Sequence, residues 1–116
     1  MGFDKERIIT DPMCAALGYG IEYTYSVMER IRLAALTQND ATMQPPILAD
    51  VGMYVWKIKE CQASEADQPF MGSLKERSVA WEAETATGLM MAGAELVIMR
   101  HPEAIKAVKA FIAEAV

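Results

Sequence analysis

The feature that most constrains this chain is an order that comes three times: a short unbroken apolar run, a turn signal, then apolar residues at helical spacing. Arg7-Ile8-Ile9-Thr10 ends at Asp11-Pro12. After a loop through Gly18-Tyr19-Gly20, the stripe of Ile21, Val27, Met28, Ile31, Ala34 and Ala35 predicts a helix over 21–36. Ile47-Leu48-Ala49-Asp50-Val51 ends at Gly52 and leads into a short helix over 53–61. Leu96-Val97-Ile98-Met99 ends at Arg100-His101, with Pro102 at the first helical position. Ile105, Val108, Ile112 and Val116 are the expected buried stripe of that last helix.

The intervening segments read as punctuation. Polar residues 37–44 and Pro45-Pro46 stop the first helix, because a ring in place of the N–H cannot continue it. Residues 62–72, rich in Ser, Glu, Asp, Gln and Pro, are the expected mobile insertion. Ser73-Leu74-Lys75-Glu76 is a capping box that opens a long helix to Ala92, with Gly93 placed to end it. Strands that are apolar without alternating are buried on both faces, so the expected fold is α/β: three βα units of a parallel sheet in one domain, 1–116.

Composition narrows function by exclusion. At 116 residues there is room for one domain, and 53% hydrophobic with 23% charged residues is a globular balance. A net charge of -5 argues against a nucleic acid or an anionic membrane as partner, since both need concentrated positive charge. No apolar run is long enough to span a bilayer, and the residues after Met1 lack a leader's apolar core, so a cytoplasmic protein is expected. Cys14 and Cys61, 47 positions apart, form no CxxC, so neither zinc nor an iron-sulfur cluster is expected on this chain alone.

In parallel α/β folds ligands gather at the carboxyl ends of the strands, which here carry Asp11, Asp50, Arg100 and His101. Each also has a structural use. The two Asp residues turn chains and cap helices; His101, before Pro102, stands near an N-cap; Arg100 pairs as readily with Asp11 or Asp50 as it clamps an anion. Gly18 and Gly20 let the backbone pass something flat or turn tightly into the helix, and Tyr19, Tyr23 and Tyr25 beside them either stack on a planar ligand or pack. No nucleophile with its base, no P-loop and no dinucleotide fingerprint is recognisable, so no catalytic residue is assigned.

The strings "DPMCAALGYGIEYTYSVMERIRLAAL" and "WEAETATGLMMAGAELVIMRHPEAIKAVKAFI", above all "LGYGIEYTYSVMERIR" and "IMRHPEA", resemble the small (delta) subunit of the corrinoid iron-sulfur protein of the acetyl-CoA decarbonylase/synthase system. The resemblance covers nearly the whole chain. It implies part of a TIM barrel, matching the C-terminal portion of the family pattern, although a full barrel needs about 250 residues and eight βα units. It also implies a large partner subunit that carries the iron-sulfur cluster and cobalamin, and methyl transfer from a methyltetrahydropterin-dependent methyltransferase to acetyl-CoA synthase.

On that reading the chain is not catalytic by itself. It helps enclose the corrinoid, with Asp11, Gly18, Tyr19, Gly20, Asp50, Arg100 and His101 as candidates for the surface facing the cofactor or partner. Two alternatives stand beside it: a small pterin-binding methyltransferase-like enzyme using Asp11 or Asp50, and a fragment whose only activity is association with itself. An incomplete sheet also leads us to expect self-association.

Overall fold

A computed structural model describes residues 2–116; the leader reading at Met1 itself lies outside them. The chain is α/β, with four helices on a two-stranded parallel sheet: α1 Ile21–Thr37, β1 Leu48–Asp50, α2 Val51–Val55, α3 Leu74–Ala92, β2 Leu96–Ile98 and α4 Pro102–Ala115. Strands β1 and β2 pair in the register Leu48 to Leu96, Ala49 to Val97 and Asp50 to Ile98.

The first expected strand is the main correction. Residues Lys5–Arg7 form a 3-10 turn capped by Asp4, whose carboxylate accepts the Glu6 N–H at 3.0 Å. Only Thr10 reaches the sheet, through one parallel bridge to Ile47. Its N–H donates to Pro46 O and its own O accepts from Leu48 N–H, both at 2.8 Å, while Ile47 O accepts from Glu95 and Leu96 on the opposite edge. Thr10 therefore flanks β1 on the side away from β2. Ile8 and Ile9 are exposed, so no apolar contact holds residues 7–9 extended. The observed sheet is two strands and a bridge rather than three strands, and it does not close into a barrel.

Period two decides which side is covered. Ile47, Ala49 and Val51 are wholly buried in one cluster with Met28 of α1, Val55 of α2, Leu89 of α3 and Val108 of α4. The alternate residues point the other way, and no helix among the described residues covers them: Leu48 and Asp50 are half-buried, Leu96 is 43% exposed and Ile98 49%. The sheet has one dry face and one wet one.

The helices follow the sequence with three adjustments. Helix α2 starts two residues early and stops at Val55, because Asp50 caps it by accepting the Met53 N–H at 3.2 Å; the rest of 53–61 continues through Trp56 to a 3-10 turn at Lys59–Cys61. In α4 the buried residues are Ala104 and Val108, while Ile112 is 40% exposed and Val116 wholly so. The insertion 62–72 is fastened rather than loose. The buried Arg77 guanidinium donates to Glu60 O at 2.7 Å, to Gly72 O at 3.1 Å and to Ala63 O. As expected, Ser73 caps α3 by accepting the Glu76 N–H at 3.1 Å, although the Glu76 carboxylate accepts the Ser73 hydroxyl at 2.8 Å rather than its backbone N–H; Gly93 ends the helix at φ 125°.

Candidate functional site: a divided rim at the strand exits

Parallel register places Asp11, Asp50 and the Arg100-His101 pair at the same end of the sheet, one after each pairing segment. The rim is divided by charge. On one side Asp11 and Asp50 flank Cys14; on the other Arg100 and His101 gather on Trp56.

On the acidic side each carboxylate uses one oxygen locally. Asp11 Oδ1 accepts the Met13 N–H at 2.9 Å, and Asp50 Oδ1 caps α2. Cys14 is buried beside them. Burial first, and the negative charges of Asp50 and Asp11 after it, push its thiol up to about 12 from an ordinary 9.0. Such a thiol is no nucleophile near neutral pH. Cys14, Tyr19, Tyr54, Lys57 and Ile58 line a groove of about 540 Å³.

The Gly18-Tyr19-Gly20 turn resolves the question of what the glycines pass. Gly18 (φ 78°) lies against Trp81 of the same chain, where an added Cβ would meet the ring at 3.8 Å. Trp81 Nε1–H donates to Leu17 O at 2.9 Å, and Thr85 Oγ1 accepts the Leu17 N–H at 3.3 Å, so α3 holds the turn from both sides. Gly20 (φ 105°) is the left-handed N-cap of α1. Tyr19 O–H donates to Glu60 at 2.5 Å, which raises the phenol's pKa and lowers the carboxyl's. Gly18 meets this chain's own Trp81, Tyr19 its Glu60 and Gly20 its Tyr23, apart from Arg100 and His101.

The basic side is built by a residue that sequence reasoning missed. Glu82, in the middle of α3 and wholly buried, accepts the Arg100 N–H at one oxygen and the His101 N–H at the other, the latter at 3.0 Å. A buried carboxylate with both oxygens on backbone donors fixes the exit of β2. Gly52 packs against the same spot, 3.0 Å from Arg100 N and 3.2 Å from Met99 C when given a Cβ. Arg100 pairs with neither Asp11 nor Asp50. Its guanidinium lies 5.8 Å over the Trp56 ring, and the His101 ring stacks on the same indole at 5.8 Å and 15°. His101 Nδ1 accepts the Glu103 N–H at 3.1 Å and so is the N-cap of α4 that its place before Pro102 predicts. A single histidine sits there because one ring both caps the helix and covers the tryptophan.

No group of three or more His, Cys, Asp or Glu side chains converges to hold a metal among the described residues, and both cysteines are free and buried. No helix among them is long and apolar enough to cross a membrane.

Fold and rim together define a parallel α/β chain with polar groups collected at its strand exits and one sheet face open. Within that class, the chain belongs to the CO dehydrogenase/acetyl-CoA synthase delta subunit family, whose sequence profile it matches over residues 1–112. It is 43% identical over 107 residues to the acetyl-CoA decarbonylase/synthase complex subunit delta of Methanopyrus kandleri, covering 92% of this chain and 26% of that protein. It is 36% identical over 109 residues to subunit delta 2 of Methanosarcina acetivorans, and 35% over 109 residues to subunit delta of Archaeoglobus fulgidus, in each case covering 90% of this chain and 24% of the relative. The chain spans about a quarter of the length of the curated relatives it matches.

Proposed function

We propose that this chain is a non-catalytic part of a delta-type subunit, helping to enclose a corrinoid held by a large iron-sulfur partner while a methyl group passes from a methyltetrahydropterin-dependent methyltransferase to acetyl-CoA synthase. Membership of the delta family supports the assembly. The observation that carries the role is the pairing of a pre-set rim with an uncovered sheet face: Glu82 holds the Arg100-His101 exit rigid, while Leu96 and Ile98 stay 43% and 49% exposed.

That is the form of a wall rather than of a closed active site. Wholly burying an aliphatic side chain is worth about 1.5 to 3 kcal/mol, so covering two half-exposed ones contributes on the order of 2 kcal/mol toward association. On this reading a partner supplies the cover, and a second copy of the chain supplies it when the partner is absent. Cobalamin, on this reading, is shared with the partner and supplies the methyl-carrying cobalt chemistry. This chain's residues wall it in and exclude water. Nothing among the described residues favours the pterin-binding alternative, since Asp11 and Asp50 each spend an oxygen on a local N–H.

The test is to mix the purified chain with the large subunit and methylcobalamin and follow gel filtration at visible wavelengths. The reading predicts a co-eluting complex with a changed corrinoid spectrum. Separate elution with an unaltered spectrum would contradict it.

A further inference from the structure

We propose that the cleft between Trp56, Cys61, Gln62, Arg100, His101 and Pro102 is a binding site for a small oxyanion, carboxylate or phosphate. The cleft encloses about 440 Å³. What faces it is rich in donors and poor in acceptors. The chain carries a net charge of -5, and yet the Arg100 guanidinium pairs with no carboxylate among the described residues; it rests on the Trp56 ring with its donors uncommitted. His101 Nδ1 is occupied as an acceptor from the Glu103 N–H, which leaves the ring proton on Nε2, a second donor. Gln62 spends its amide N–H₂ on Trp56 O at 2.8 Å, which fixes the cleft wall; the Trp56 indole N–H is buried without an acceptor beneath the two side chains and serves as a reporter rather than as a ligand donor. The cleft lacks an anion's oxygens.

The nearby carboxylates are spent elsewhere, Glu60 on the Tyr19 hydroxyl. Both oxygens of Glu82 accept backbone N–H groups, and Glu103 pairs with Lys75 at 2.6 Å. Neither neutralises Arg100. Because Glu82 fixes the backbone of Arg100 and His101, and the indole supports both side chains, the donors are held in place before a ligand arrives. A guanidinium fork set this way recognises two oxygens of one group. Carboxylate and phosphate both offer them. The inference stands apart from the corrinoid reading: complex formation with the large subunit can succeed while anion binding fails, and the reverse.

The test uses the full chain labelled with 15N-tryptophan, whose two indole signals are assigned with Trp56→Phe. Inorganic phosphate and succinate are titrated separately at constant ionic strength, with chloride as the control. We expect a saturable shift of the Trp56 indole signal with at least one of the two, and the lower half-saturation identifies phosphate or carboxylate as the preferred group. The Trp81 signal stays still and reports that the fold is intact. Arg100→Gln raises the half-saturation concentration at least about ten-fold, whereas Arg30→Gln, on the exposed side of α1, leaves it unchanged. A non-saturating shift, an equal response to chloride, or an unaltered titration in Arg100→Gln would overturn the proposal.

Discussion

The exits of β1 and β2 do the same job by opposite means. At β1 the carboxylate that receives the chain is local: Asp50 caps the helix that begins at the next residue. At β2 it is remote: Glu82, 18 residues before Arg100, accepts the two exit N–H groups from the middle of another helix. The first exit stays acidic and surrounds Cys14. The second spends the buried Glu82 carboxylate on backbone, and so leaves the Arg100 guanidinium on an indole with no carboxylate partner among the described residues. A buried acid that satisfies backbone donors frees side-chain charge for recognition; one used as a cap does not.

Breaking the remote carboxylate is the severest way to test this. Glu82→Ala leaves two backbone donors unpaired in a dry site, each costing about 1 to 3 kcal/mol, so urea unfolding is expected to show a loss of about 3 kcal/mol or more. Asp50→Ala removes one exposed-end cap and is expected to cost about 1 kcal/mol. Equal losses would erase the distinction between the exits.

Gly52→Ala falls between them and carries a sign to check. In an unconstrained helix that change stabilises by roughly 1 kcal/mol. Here the new methyl would press on Arg100 N at 3.0 Å, and Glu82 holds that backbone in place. A net destabilisation of about 1 to 2 kcal/mol is expected, shrinking when Glu82→Ala is combined with it. A stabilised Gly52→Ala would mean that the exit gives way.

The contrast also explains what the sequence disclosed. Ser73 with Glu76, Gly93, and Pro102 after His101 are local signals, and α3 and the start of α4 lie where they place them; α2 has a local cap in Asp50 but no stop signal, and it ends at Val55 rather than at 61. Glu82 carries no local mark. It lies in a helix among Glu76, Glu84 and other charged residues, and its burial arises only when β2 is laid beside α3. Trp56 was equally silent, because its partners Arg100 and His101 are more than 40 residues away. The failure at residues 7–9 has the same origin: an apolar run proposes a strand, but a strand needs a covering layer, and Ile8 and Ile9 have none. The Tyr19 hydroxyl meets Glu60, 41 positions along the chain, a contact no local pattern marks.

The effect expected at the acidic exit appears only at high pH. The folded Cys14 thiol keeps its proton to about pH 12, whereas the unfolded one loses it near 9.0. The folded state then binds more protons across that interval, so this contribution is fully present below pH 9 and is lost as pH rises toward 12. The difference in stability between the native sequence and Cys14→Ala should therefore be flat below pH 9 and shrink above it. A difference that grows with pH would contradict the burial of the thiol, and the negative charges of Asp50 and Asp11 beside it, as the cause of its raised pKa.

The central claim is that the chain is a wall with one uncovered face, and gel filtration coupled to light scattering addresses it most directly. Leu96 and Ile98 lie on that face, with half-buried Leu48 beside them. The chain alone at micromolar concentration is expected to run as a dimer or larger species, reverting toward monomer when Leu96 and Ile98 are both replaced by Lys. A monomer that melts cooperatively and binds no dye reporting apolar surface would contradict the claim.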